Sequence, residues 1–183
     1  PESIELLNES IRRLKFDEHF FLQLVMALKK SNLENNKTKE FNNADNYVAK
    51  IYKNITFTLT KSQINVLKEI RMDLSSNKPM NRLIQGDVGC GKTIVAILAS
   101  AMAIDNSSQV AIMAPTEILA RQHYNLAKKI FPNKINLEMI FGKTETKIKK
   151  KIYKNISENK IHILFGTHSL FQKKINFFNL GYI

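Results

Sequence analysis

Among its 183 residues the chain has a single cysteine, Cys90. One thiol excludes an internal disulfide and suits a reducing cytosol, so a cytoplasmic protein is expected. No apolar run approaches the roughly 20 residues that a membrane span needs, and no signal-peptide pattern opens the chain, so no membrane association is expected. The four histidines, His19, His123, His162 and His168, lack cysteine partners and ligand-like spacing, and zinc is not expected. Acidic residues are scarce: 16 Asp and Glu stand against 28 Lys and Arg, for a formal net charge of +12. That balance favours a polyanionic partner, nucleic acid first and an anionic membrane surface second. No internal repeat is visible. What is present, a 44% hydrophobic content, supports a real core, and the length allows one ordinary domain with an appendage.

The most informative residues are Gly86-Asp87-Val88-Gly89-Cys90-Gly91-Lys92-Thr93, which fit the G-x-x-x-x-G-K-[ST] phosphate-binding pattern at every fixed position. Glycines let the backbone turn several N–H groups inward on a phosphate. Lys92 brings a compact positive charge to the outer phosphates, and the Thr93 hydroxyl is the expected Mg²⁺ ligand. The apolar Leu83-Ile84 precedes the loop as a short strand. The alanine-rich stretch from Ile94 to Ile104 follows as a buried helix whose N-terminus favours a bound anion. A nucleoside triphosphate with Mg²⁺ is the expected cofactor.

Upstream, apolar positions at helical spacing (Ile4, Leu7, Ile11, Leu14, then Phe20, Phe21, Leu24, Val25, Leu28) predict two helices over 3–30, parted near Phe16 with Asp17 as cap. Their stripe reads as a packing face. Residues 31–46 are polar and predict a solvated loop, with a short helix at 45–53 and a domain boundary near Thr56. Thereafter helices are expected at 61–74, 92–105, 117–130 (Thr116 as N-cap) and 144–158, and strands at 82–85, 109–114, 135–140 and 161–165. Alternation of this kind implies a parallel sheet covered on both faces, an α/β fold. Lys143, Lys147, Lys149, Lys150, Lys151 and Lys154 make the helix after Gly142 basic; a solvated face is the default reading and direct DNA contact the alternative.

Several segments carry a resemblance. Phe57-Thr58-Leu59-Thr60-Lys61-Ser62-Gln63 resembles the Q-type motif of helicase superfamily two, Ala114-Pro115-Thr116-Glu117-Ile118-Leu119-Ala120-Arg121-Gln122-His123 its motif Ia, and Gly166-Thr167-His168-Ser169-Leu170-Phe171-Gln172 its next DNA-contacting motif. Together with Gln85-Gly86-Asp87-Val88-Gly89 they are similar to the branch of that superfamily that remodels branched DNA. The resemblance implies a RecA-like P-loop NTPase sheet flanked by helices, incomplete here and preceded by a helical segment. It divides the chain into a helical linker over 1–56 and the first part of an ATP-binding motor domain over 57–183. It implies Phe57 and Gln63 as the adenine contacts, beside residues 86–93 on the phosphates, with Lys92 and Thr93 as catalytic. It assigns DNA contact to Pro115, Thr116, Arg121, Gln122, Gly166, Thr167 and His168. Position 90, commonly serine in such loops, is cysteine here, of compatible size.

What the resemblance implies for the parent protein is a monomeric, ATP-driven helicase that regresses forks and migrates junctions of double-stranded DNA in repair and recombination. A translocase of the transcription-repair coupling type and a nucleotide-binding module without motor activity are the alternatives. Hydrolysis needs an acidic pair for Mg²⁺ and water, and no Asp or Glu follows Glu158. The chain begins at Pro1 and ends on the strand-like Leu180-Gly181-Tyr182-Ile183, so both ends are expected to be cut. On its own, this segment is expected to bind nucleotide poorly and hydrolyse essentially none.

Overall fold

The computed structural model describes residues 3–34, 36–43, 46–171 and 175–183. Helix α1 runs unbroken over Ile4–Glu34, where two helices were expected. No glycine or proline interrupts the stretch, and Asp17 does not cap; it pairs with Arg13 one turn back at 3.1 Å. Phe16 and Phe20 stack across the expected break, with ring centroids 5.8 Å apart. The apolar stripe of α1 stays exposed, Leu14 at 65% and Phe21 at 61%.

Residues 36–43 are irregular, as a polar loop should be, yet Phe41 is buried. The Thr38 and Phe41 N–H groups donate to Asn77 and Leu74, and Asn43 N–H donates to Asn106 Oδ1 at 3.1 Å. Asn35, Ala44 and Asp45 of that expected loop lie outside the described residues. Helix α2 (Tyr47–Asn54) follows and buries Ile51 completely. Helix α3 (Lys61–Ser75) begins with a capping box in which Thr60 and Gln63 each accept the other's backbone N–H.

Helix α4 (Lys92–Asp105) is apolar on all sides, with ten buried residues from Ile94 to Ile104, and forms the centre of the core. The remaining elements alternate: β1 (Gln109–Met113), α5 (Glu117–Ile130), β2 (Leu137–Ile140), α6 (Thr146–Ser157), β3 (Ile163–Gly166), a 3₁₀ turn at His168–Phe171, and β4 (Leu180–Tyr182). The strands make one parallel sheet in the order β2-β3-β1-β4. Period-two alternation splits its side chains between two layers. Val110, Ile163 and Phe165 join α2 to α5 on one face; Ala111 and Leu164 meet Ile152 and Ile156 of α6 on the other. The expected α/β architecture with helices on both faces is what forms.

One strand does not form. Residues 82–85 join no ladder among the described residues. Arg82 is held along α3, its guanidinium against Glu69 and, at 2.7 Å, Asp73. The apolar pair beside it divides: Ile84 packs on the core while Leu83 is 87% exposed.

Candidate nucleotide and DNA site

The segment from Gly86 to Thr93 curls into a closed loop at the start of α4. Gly89 and Gly91 take φ of +83° and +84°, left-handed values that side chains with a Cβ resist. Cys90 N–H closes a turn on the Asp87 carbonyl at 3.3 Å, and Val88 stands fully exposed at the tip. Gly86 has a packing reason as well: a Cβ there would sit 2.7 Å from Cys90 Sγ. Lys92 folds back across the loop, its ammonium donating to the carbonyls of Gly86 at 2.7 Å and Asp87 at 2.8 Å. A positive charge is thereby fixed over a helix N-terminus whose first N–H groups lack helical acceptors. Those donors fit the oxygens of a polyphosphate.

Beside the loop, Lys92 and Thr93 line a pocket of about 230 Å³ with Ala96, Ile97, Ile112, Met113 and His123. The residues present fit the expected group: an ammonium and backbone donors for phosphate, and a hydroxyl for a hard cation. A larger cavity of about 420 Å³ lies at the amino end of β1, between Lys39, Phe41 and β4, far from this chemistry.

Gln63 touches the same loop. Its Oε1 accepts the Thr60 N–H at 2.9 Å while its Nε2 donates to the Cys90 carbonyl at 2.9 Å, tying α3 to the loop. A Cβ on Gly91 would meet that amide nitrogen at 2.3 Å. An amide has two hydrogens and two lone pairs, so one of each is left for an adenine edge. Phe57, the other expected base contact, is 53% exposed a few residues before the Thr60 cap.

The expected DNA residues gather at the carboxyl edge of the sheet. Thr116 caps α5, its hydroxyl accepting the Leu119 N–H at 3.3 Å, and Pro115 beside it is exposed. Arg121 and Gln122 are exposed on α5, with the Arg121 guanidinium 4.8 Å above the Phe141 ring. After β3, His168 is exposed and Thr167 half-buried. Gly166 is required by close packing: a Cβ would come within 2.6 Å of the Ile140 carbonyl. Gln172 lies outside the described residues.

Two participants escaped the reading of the sequence. His123 reaches the pocket beside Lys92, and burial holds its imidazole below the usual range, hence neutral. It follows the Thr116 cap by seven residues, two helical turns, which was the available signal. Arg82 anchors the approach to the loop, and no local pattern announces that. The Thr60-x-x-Gln63 capping box was legible and gives Gln63 a role in the protein's own architecture.

Comparison with known proteins decides the family. The family model described as DEAD/DEAH box helicase matches residues 60–183. The chain belongs to the DEAD/DEAH box helicase family. It is 43% identical over 173 residues to the ATP-dependent DNA helicase RecG of Aquifex aeolicus, covering 94% of this chain and 22% of that protein. It is 36% identical to the RecG of Borreliella burgdorferi, covering 100% of this chain and 26% of the other. A solved structure described as RecG bound to a three-way DNA junction superposes with a TM-score of 0.83 at 36% identity, over 95% of this chain and 24% of that one. The resemblance to branched-DNA helicases is borne out, and so is the RecA-like sheet preceded by helices. The chain spans about a quarter of the length of these relatives.

Proposed function

We propose that this segment is the nucleotide-binding part of an ATP-driven DNA motor that remodels branched, double-stranded DNA in repair and recombination. One observation carries it above the rest: Lys92, set on a loop with two left-handed glycines at the head of α4, lies beside the sheet edge that bears Thr116, Thr167 and His168. Residues 86–93 hold the phosphates, Thr93 supplies a Mg²⁺ ligand, and Phe57 and Gln63 take the base. Pro115, Thr116, Arg121, Gln122, Gly166, Thr167 and His168 hold the DNA backbone, a grip set by salt more than by sequence. ATP, when bound, supplies the free energy of phosphoryl transfer; these residues orient it and couple its site to the DNA edge. We place the motor at 57–183 and the leading helical segment at 1–56, a division supported by a family match that starts at residue 60. The protein is read as a cytoplasmic monomer.

The test is ATP hydrolysis by the full-length protein, with and without a three-way junction. Junction DNA should stimulate turnover, and Lys92→Ala should lower it on the order of a hundredfold or more. Hydrolysis indifferent to DNA in the wild-type protein would overturn the motor reading.

A further inference from the structure

Three parallel strands end level at one edge of the sheet. Met113 of β1 pairs with Gly166 of β3, and Gly166 with Ile140 of β2. The turns that follow therefore share that edge: Thr116 after β1, Thr167 and His168 after β3, Gly142 and Lys143 after β2. Side chains bind the third turn to the first, because Arg121 of α5 stacks on Phe141. The turn itself is fixed by Phe141 N–H donating to Thr144 Oγ1 at 3.0 Å and by Lys149 Nζ donating to the Gly142 carbonyl at 2.6 Å.

From this turn α6 leads away with Ile152 and Ile156 buried. At 3.6 residues per turn, Lys147, Lys150, Lys151 and Lys154 fall within an arc of roughly 100° on the opposite face. Between residues 143 and 158 six lysines stand against two glutamates. Glu158 is occupied by Lys160, with Lys154 at 3.8 Å, and Glu145 sits at the cap of α6. Among the described residues, Lys143, Lys147, Lys150 and Lys151 have no carboxylate partner.

We propose that Lys143, Lys147, Lys150 and Lys151 form a phosphate-binding track that continues the DNA edge along α6. The proposal rests on the reading of the protein as a DNA motor. Lys147, Lys150 and Lys151 span about 6 Å of helix axis and Lys143 extends the row into the preceding turn, enough to meet successive phosphates of a duplex crossing the edge. A membrane surface fits less well, since α6 turns Ile152 and Ile156 into the core and leaves Ile148 as a lone exposed aliphatic side chain, too little to anchor in a bilayer.

The experiment measures binding of a labelled three-way junction to the full-length protein across a potassium chloride series. The variant carries Lys143→Gln, Lys147→Gln, Lys150→Gln and Lys151→Gln; a control carries the same charge change at the exposed Lys37, Lys53, Lys68 and Lys78. The track variant should bind at least tenfold more weakly at low salt, with the logarithmic salt slope shallower by about 2–4, roughly 0.9 for each phosphate no longer neutralised. The control should keep the wild-type slope, and arginine at the four track positions should restore it. Equal slopes in the track variant and the wild type, with matched thermal melts, would overturn the track while leaving the motor reading intact. Equal losses in track variant and control would overturn it as well. Wild-type protein that binds no junction at all would instead remove the motor reading and the track with it.

Discussion

Gln63 makes three hydrogen bonds, two within the cap of α3 and one to the Cys90 carbonyl of the phosphate loop. The first two stabilise a helix end; the third sets the shape of the loop. Two substitutions separate these roles. Gln63→Glu keeps an acceptor for the Thr60 N–H but puts a carboxylate oxygen against the Cys90 carbonyl, whereas Gln63→Ala removes both partners. Nucleotide affinity, read with a fluorescent ATP analogue, should fall about five- to tenfold in each, as for one net hydrogen bond. Thermal stability should fall further for the alanine. Unchanged affinity in both would show that the loop holds its shape without Gln63. Gly91→Ala is a harsher test, since φ of +84° costs an L-residue about 1–2 kcal/mol and the new methyl displaces the same amide. It should weaken nucleotide binding more than Gln63→Ala does.

At the level of elements, what could be read in the sequence followed locality. Helix α4 carries its own signal, an apolar run headed by the glycine loop, and β1 and β3 carry theirs in short apolar runs. The strand at 82–85 was misread because two apolar residues, Leu83 and Ile84, resemble a strand only if a neighbour pairs with them. Arg82 instead finds two carboxylates on α3, a long-range choice that no window reveals. The helix break expected near Phe16 rested on Asp17 as the cap of a second helix. Without glycine or proline the backbone had no cause to stop. The least legible residue is Gln109, wholly buried at the head of β1. Its Nε2 donates to Ile156 and Ile161 and its Oε1 accepts the Asn179 N–H, joining α6, β3 and the approach to β4. Gln109→Leu should strip the amide from the Ile161 carbonyl and the Asn179 N–H, while Ile156 keeps the Asn159 N–H at 3.2 Å, and destabilise the fold by about 1–3 kcal/mol, seen as a lower urea midpoint. A midpoint equal to wild type would mean that water replaces the amide.

Over the whole molecule, stability should depend on pH through two histidines. His162 Nδ1 accepts the Asn136 N–H at 2.9 Å, linking the entries to β2 and β3, and burial lowers its pKa; His123 in the nucleotide pocket is lowered for the same reason. Both are neutral in the fold, and protonation of His162 at Nδ1 would forfeit that bond. In the unfolded chain they titrate near 6.5. Between that value and the depressed folded values the unfolded state binds more protons, so stability rises with pH through this window and levels off above it. Glu158, held low by Lys160, acts in the same direction but only at more acidic pH. The melting temperature should therefore be flat from about pH 7.5 to 8.5 and fall from about pH 7 to 5.5. His162→Asn keeps an acceptor near the Asn136 N–H without a titrating group, and His123→Gln removes the second imidazole. The double variant should flatten the profile over that acidic range, whereas an equal fall in variant and wild type would place the pH dependence on other groups.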